Sequence, residues 1–369
     1  MGLNTLPFPE LETPALLIEE SRLATNLADM QTLARQSGRA LRPHIKSHKS
    51  IFLAMRQLEL GAKGIAVAKL SEAAVMAASG INDIQIANQI VGASRIKSLV
   101  ELSQFVRVSC AIDRLDNARE LSLAFSAHGR RLPILVEVDT GLNRCGVKSQ
   151  TELEVLYREA LLLPGIEVTG IMTHAGHAYA AQSREEVRLI GEFEGRTMGE
   201  MAARLRILGF SVEVVSVGST PTARFAVAQN GVTEIRVGNY LFNDRIQVVL
   251  GTVEEDRCAL SVLGTIISRN VEQAVCDVGS KALTTESGAH GSNLVRGFGV
   301  INGTSLTVSR LSEEHGVIPD PDQRLSIGQR VRIVPNHACP VVNLFDRAYL
   351  VNGESILEEI IIDARGCSQ

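Results

Sequence analysis

The sequence predicts an α/β fold, an eight-stranded parallel (β/α) barrel followed by a second, mainly antiparallel β domain. Three observations carry this. Short β-branched runs alternate with amphipathic stretches along the first two thirds of the chain. After about residue 246 the alternation gives way to extended segments with Gly and Asp turns between them. No internal repeat or low-complexity linker separates the two parts, so they are expected to pack tightly.

The barrel strands are expected at residues 41–45, 64–68, 83–87, 106–111, 134–138, 167–172, 212–217 and 234–237. Helical patterns at 20–37, 71–78 and 184–208 space apolar residues three and four apart, which turns one face of each helix toward the strands. Eight strands separated by crossovers fit a closed barrel, and a doubly wound open sheet is the main rival. The extended segments 259–268, 274–278, 329–334 and 347–351 supply the antiparallel part. The barrel is assigned residues 21–245, and the β domain residues 1–20 and 246–369.

Composition bounds the function. A chain of 369 residues, 45% hydrophobic and 21% charged, can bury a large core in one big domain or two. Its net charge of −4 leaves no electrostatic footprint for nucleic acid or an anionic membrane. The amino-terminal stretch lacks a basic segment followed by a long apolar one, and no later stretch stays apolar for the roughly 18 residues a span needs. A cytoplasmic protein with a small-molecule substrate is expected. The six cysteines (Cys110, Cys145, Cys258, Cys276, Cys339 and Cys367) show no paired spacing, so a disulfide framework is not expected.

In a barrel of this type, chemistry gathers at the carboxyl ends of the strands. Those ends carry Lys46 and His48; Lys69; Asn88; Asp113; Asp139, Asn143 and Arg144; Thr173, His174 and His177; Gly218, Ser219 and Thr220; and Gly238, Asn239 and Tyr240. The octet Arg-Pro-His-Ile-Lys-Ser-His-Lys at 42–49 is the most informative of these. It nominates Lys46 as a covalent anchor for pyridoxal phosphate, because a desolvated lysine amine at a strand end can condense with the cofactor aldehyde. Two basic residues near a loop can equally be a solvated face.

Ser216-Val-Gly-Ser-Thr-Pro-Thr222 offers small residues, hydroxyls and bare amides, a donor set that suits phosphate, and Gly238-Asn239-Tyr240 after the next strand can close the same cup. Arg144 is either a donor to the cofactor phenolate or a surface arginine closing a tight turn. Arg236 lies within a strand, where arginine is rarely buried without a partner. It pairs with Glu234 or Asp244, or it faces the ring nitrogen of the cofactor. His337-Ala-Cys339 is read as extended, so that imidazole and thiolate project to one side. That pair suits zinc with coordination positions left open, and a buried histidine beside an inert thiol is the alternative.

The blocks TPALLIEESRLATNL, LRPHIKSHK, VEVDTGLNRCGV, MTHAGHAY, VSVGSTPT, EIRVGNYLFND and VPNHACPVVNLFD together resemble the D-threonine aldolase and D-serine dehydratase-like family. Members share the alanine racemase type of pyridoxal phosphate fold, and the resemblance runs from about residue 13 to residue 346. It implies pyridoxal 5'-phosphate on Lys46, with Arg144 as donor to the phenolate and His174 against the ring face. It also implies Gly218, Ser219, Thr220, Gly238, Asn239 and Tyr240 as phosphate ligands. His337 and Cys339 become ligands of a divalent metal, zinc being favoured over manganese, cobalt or magnesium. A homodimer is implied as well.

His174 stands where aldolases of the family often have tyrosine. Cys339 resembles the dehydratase branch, whereas the following Pro-Val-Val-Asn-Leu-Phe-Asp resembles the aldolase branch. The expected activity is a metal-assisted lyase on D-3-hydroxy amino acids, with Lys46 as the base at Cα. Elimination to a keto acid and ammonia is placed first because of Cys339. Retro-aldol cleavage to glycine and an aldehyde, with His177 or a metal-bound water taking the hydroxyl proton, is the alternative. An amino acid racemase and a non-catalytic pyridoxal phosphate carrier are more distant ones. The loop 282–293 is expected among the pocket walls, and Glu313, Glu314 and His315 are read as decoration of a turn.

Overall fold

The computed structural model describes residues 7–289 and 291–369. Residues 1–6 of the segment assigned to the β domain, and residue 290 of the loop expected to wall the pocket, lie outside them. The chain enters through β1 (Ala15–Glu19) and α1 (Glu20–Gln36). Eight strands follow: β2 (Ala40–Leu41), β3 (Ile65–Val67), β4 (Asp83–Gln89), β5 (Arg107–Ile112), β6 (Leu132–Glu137), β7 (Ile166–Met172), β8 (Val214–Val217) and β9 (Glu234–Ile235). All their pairings are parallel, in the order β2-β9-β8-β7-β6-β5-β4-β3.

The ends of this sheet meet. His44 bridges Ala66 in parallel, the Ala66 amide donates to the Pro43 carbonyl at 2.8 Å, and Lys63 donates to Leu41 at 2.9 Å. The barrel is therefore closed, and the open doubly wound sheet is set aside. The first strand is shorter than expected. Pro43 has no N–H to give the ladder, and the chain turns at Ile45–Ser47 in a 3-10 helix that carries Lys46 at the strand end.

Helices α2 (Ile51–Glu59), α3 (Leu70–Ala78), α4 (Ala93–Leu102), α5 (Leu115–Ser126), α6 (Gln150–Leu161) and α7 (Arg184–Ile207) make the crossovers. In α1 the buried positions Leu23, Leu27 and Ala34 form the stripe that the spacing predicts. Burying each leucine contributes about 1.5–3 kcal/mol. Helix α7 packs unusually close to the chain after β8. A Cβ on Gly191 would stand 2.9 Å from the Thr222 carbonyl, and one on Gly195 2.5 Å from that of Ala226. Glycines four residues apart on one face thus let the segment after the Gly-Ser-Thr turn lie directly on the helix.

The β domain contains β10 (Leu260–Arg269), β11 (Gln273–Cys276), β12 (Gly299–Ile301), β13 (Arg310–Leu311), β14 (Gly316–Pro319), β15 (Arg330–Pro335), β16 (Arg347–Asn352) and β17 (Ser355–Ile361). All of its pairings are antiparallel except that of β1 with β16. The amino-terminal strand is therefore a member of the carboxy-terminal sheet, paired with β10 on its other edge. No helix among the described residues is long and apolar enough to cross a membrane.

Candidate active site

A cavity of about 570 Å³ opens between the carboxyl ends of the barrel strands and the segment after β15. From the barrel it is lined by His44, Lys46, Arg144, His174, Ser219, Thr220, Arg236, Gly238 and Asn239, and from the β domain by Glu286, His337 and Cys339. Residues scattered over nearly 300 positions of sequence are gathered here because every barrel crossover returns the chain to the same rim.

Lys46 sits at the centre. Its amine is lowered from the ordinary lysine value chiefly by burial, with Arg144 and Arg236 adding to the effect and Cys339 and Glu72 opposing it. Such an amine is available as a nucleophile and base. His44, for which sequence reasoning had no role, lies beside it and its Nδ1 accepts from the Lys46 amide at 3.4 Å. Burial and the nearby Lys46 hold His44 well below the usual imidazole value. His174 donates from Nδ1 to the Gly218 carbonyl at 3.1 Å, and burial keeps its ring neutral.

Arg236 is 4% exposed. Its Nη1 donates to Ser216 Oγ at 3.0 Å and its Nη2 to the Thr173 carbonyl at 2.8 Å, while its buried Nε has no partner among the described residues. Neither carboxylate considered from sequence pairs with it directly. Glu234 is taken by Arg42 and Ser216, and Asp244 by Asn239 and backbone amides. Arg236 thus reaches the cavity with one donor unspent.

The Gly-Ser-Thr turn is held from behind by Glu194 of α7, a fully buried residue that sequence reasoning missed. Its carboxylate accepts from the Gly218 amide at 2.8 Å and from Thr222 Oγ1 at 2.8 Å. Nothing in an amphipathic helix pattern distinguishes such a glutamate from a solvated one. The Gly218 amide is therefore spent, which leaves Ser219 and Thr220 with Gly238 and Asn239 as the cavity side of the cup. Gly238 is required for close approach, because a Cβ there would stand 2.6 Å from Ser47 Oγ and 2.8 Å from the His44 carbonyl.

Four expectations are corrected. Tyr240 does not line this cavity, since its hydroxyl accepts from Gln57 in the core at 2.9 Å. His48 is likewise a core residue, hydrogen-bonded to Gln57 and pushed by burial to about 4. His177 is absent from the lining and its ring stacks over Gly141, because the chain after β7 turns into a 3-10 helix at Gly176–Ala180. The His-x-Cys segment is no strand. His337 caps the short helix Ala338–Val342, whose first turn accommodates Pro340 without loss of a helical hydrogen bond.

Imidazole and thiol nevertheless converge. Burial works against the charged ring of His337, yet Cys339 and Glu286 outweigh it and raise the imidazole to about 10. Burial pushes the Cys339 thiol up, and His337 reverses this to a net lowering. The Cys339 Sγ also donates to Ser47 Oγ at 3.3 Å, next to Lys46. Glu286 Oε2 accepts from His337 Nδ1 at 2.6 Å, the orienting carboxylate that a metal-ligating histidine commonly has. Glu286 lies in the 282–293 loop and carried no signal of its own in the sequence. Glu313, Glu314 and His315 stay outside the cavity, with Glu314 paired to Lys281 at 2.5 Å.

The chain matches the family model for the alanine racemase N-terminal domain over residues 18–245 and that for a putative serine dehydratase domain over residues 259–351. It is 33% identical to the D-threonine aldolase of an Arthrobacter species, over 98% of this chain and 95% of that one. The chain belongs to the D-threonine aldolase and D-serine dehydratase-like family. The family consists of pyridoxal phosphate-dependent lyases on an alanine racemase-type barrel, and this protein is an enzyme of that kind. It is also 33% identical to the D-threo-3-hydroxyaspartate dehydratase of Delftia sp. strain HT23, over 89% of this chain and 91% of that one. Among solved structures, the Filomicrobium marinum D-threonine aldolase superposes with a TM-score of 0.90 at 30% identity, covering 99% of this chain and 98% of that one. The Delftia dehydratase superposes with a TM-score of 0.89 at 30% identity, covering 95% and 97%. That enzyme has been solved with a histidine replaced by alanine and, separately, with a cysteine two positions further on replaced by alanine, the latter in a metal-free form.

Family membership implies pyridoxal phosphate, and the residues present fit it. A desolvated lysine, an arginine with an unpaired buried donor and a cup of small residues face one cavity. The His337 and Cys339 pair fits a divalent cation, since imidazole nitrogen and sulfur are donors such an ion accepts and the neighbouring His337 already lowers the Cys339 thiol. Among the described residues no group of three or more His, Cys, Asp or Glu is arranged to hold a metal ion.

Proposed function

We propose that this enzyme is a pyridoxal phosphate- and divalent metal-dependent dehydratase of D-3-hydroxy amino acids, which eliminates the β-hydroxyl to give a keto acid and ammonia. The observation that carries the reading is the His337 and Cys339 pair, which shares a cavity with Lys46 and repeats the histidine-to-cysteine spacing of the residues replaced in the Delftia dehydratase.

In this reading Lys46 anchors the cofactor, His174 stands against its ring and Arg144 donates to its phenolate. Ser219, Thr220, Gly238 and Asn239 border its phosphate. The cofactor supplies an aldehyde for the substrate amine and a sink for electrons from Cα, and the cation supplies a Lewis acid for the β-hydroxyl. Arg236, whose buried Nε has no partner among the described residues, would be a donor toward the cofactor ring. Lys46 Nζ takes the proton from Cα. Overall the Cα proton and the β-hydroxyl would be lost as one water, and the released enamine would take up water to give the keto acid and ammonia. Zinc suits a histidine and cysteine donor set. A homodimer belongs to the same reading.

Cys339→Ala tests it. Metal affinity and keto acid formation should fall together, by at least about 100-fold as for a missing metal ligand, while the cofactor stays bound. Full turnover after that substitution, or after exhaustive chelation, would remove the metal from the reaction. A second reading, retro-aldol cleavage, is favoured by the likeness to the Arthrobacter and Filomicrobium aldolases.

A further inference from the structure

We propose that Asp244 is a positioning residue that couples the two halves of the site, so that pyridoxal phosphate and the divalent cation each raise the other's affinity. This rests on the reading that His337 and Cys339 hold the cation and that the Asn239 turn borders the cofactor. Asp244 itself does not line the cavity and is 0% exposed, so it is placed neither to bind substrate nor to exchange protons with it. What it does is join segments. Its Oδ2 accepts from Asn239 Nδ2 at 2.7 Å and from the Ala338 amide at 2.9 Å, while Oδ1 accepts from the Gln247 amide at 3.1 Å. Ala338 stands between His337 and Cys339, and Asn239 lies on the cavity wall beside Gly238. A second strap runs parallel, from the Ile246 amide to the Asn336 carbonyl at 3.2 Å.

One carboxylate oxygen therefore serves a donor from the cofactor side and a donor from the metal side, with no water available to replace either. Fixing one donor fixes the acceptor for the other, and the ordering cost is met once instead of twice. Linkage makes the effect reciprocal, so the same factor applies to cofactor affinity when the cation is bound.

The test is a zinc titration against a competing chelating dye, on apoenzyme and on enzyme saturated with pyridoxal phosphate. For the wild type, the zinc dissociation constant should fall on the order of tenfold when the cofactor is bound. Asp244→Ala removes the shared acceptor oxygen altogether, and that ratio should shrink to about twofold or less. Asn239→Ala leaves the Asp244 to Ala338 bond intact but removes the cofactor-side donor, so at saturating pyridoxal phosphate the ratio should collapse in the same way. Circular dichroism establishes that the variants are folded, and Asn239→Ala carries the test if Asp244→Ala is not. A wild-type ratio near one, or a wild-type ratio retained in the folded variants, overturns the proposal. Cys339→Ala separates the two failures, because zinc binding unchanged by that substitution would overturn the metal reading itself.

Discussion

Arg42 fills the amino-terminal end of the barrel, opposite the cavity, and its replacement gives a prediction with a calculable size. Its Nη1 meets Asp83 Oδ1 at 2.6 Å and its Nε meets Glu234 Oε2 at 3.0 Å. Burial works against its charge, but Glu234 and Asp83 outweigh that and raise its pKa. Arg42→Leu would leave Glu234, 2% exposed, with a single hydrogen bond from Ser216 Oγ at 2.8 Å. Stranding one partner of a buried pair costs about 3–5 kcal/mol. The surviving bond from Ser216 Oγ places the loss in the lower half of that range, about 3–4 kcal/mol. Asp83 adds little, because a quarter of its side chain is exposed and regains water.

Unfolding entropy of about 2.1 cal/mol/K per residue makes roughly 0.8 kcal/mol/K for a chain of this length, so Tm should drop by about 4–5 °C. Differential scanning calorimetry of wild type and variant measures it. Combining Arg42→Leu with Glu234→Gln should recover most of the loss, since the stranded charge is gone. A Tm within about 1 °C of wild type, or a double variant no more stable than Arg42→Leu alone, would refute the reasoning.

Lys46 makes stability depend on pH. Its folded value is lowered and its unfolded value is about 10.4, so between the two the unfolded chain holds the extra proton and wild-type apoenzyme gains stability with rising pH. Lys46→Met should lack that gain, and parallel curves for the two proteins between pH 7 and 10 would mean the amine is not desolvated. Gly238→Ala should cost about 1–3 kcal/mol and weaken cofactor binding, because the added Cβ meets Ser47 Oγ and the His44 carbonyl. Fluorescence titration with pyridoxal phosphate checks this, and unaltered affinity would show that the turn does not border the phosphate.

Much of the fold was legible because its signals are local. The runs at β4 to β7 are bounded by turn residues and flanked by amphipathic helices, and the observed strands fall within a few residues of the expected ones. Lys46 was legible from its neighbours and its place after a strand. His337 and Cys339 were legible as a pair but not as a conformation, because alternation in a strand and an N-cap followed by one helical turn both bring residues two apart to one side. Glu194, Asp244 and Glu286 were less legible. Each acts through backbone amides or another side chain, and sequence gives no sign of which carboxylate is buried and which is solvated. His177 and Tyr240 erred the other way: Tyr240 turns into the core and the half-buried His177 lies against Gly141, because a place just after a strand does not fix which way a polar side chain turns.

The most direct test of the central claim is to supply the enzyme with pyridoxal phosphate and zinc, offer D-serine, D-threonine and D-threo-3-hydroxyaspartate, and identify the products by NMR. A keto acid with equimolar ammonia is the predicted result. Glycine with an aldehyde or glyoxylate would contradict it, and would show that a cysteine at position 339 does not commit this site to elimination.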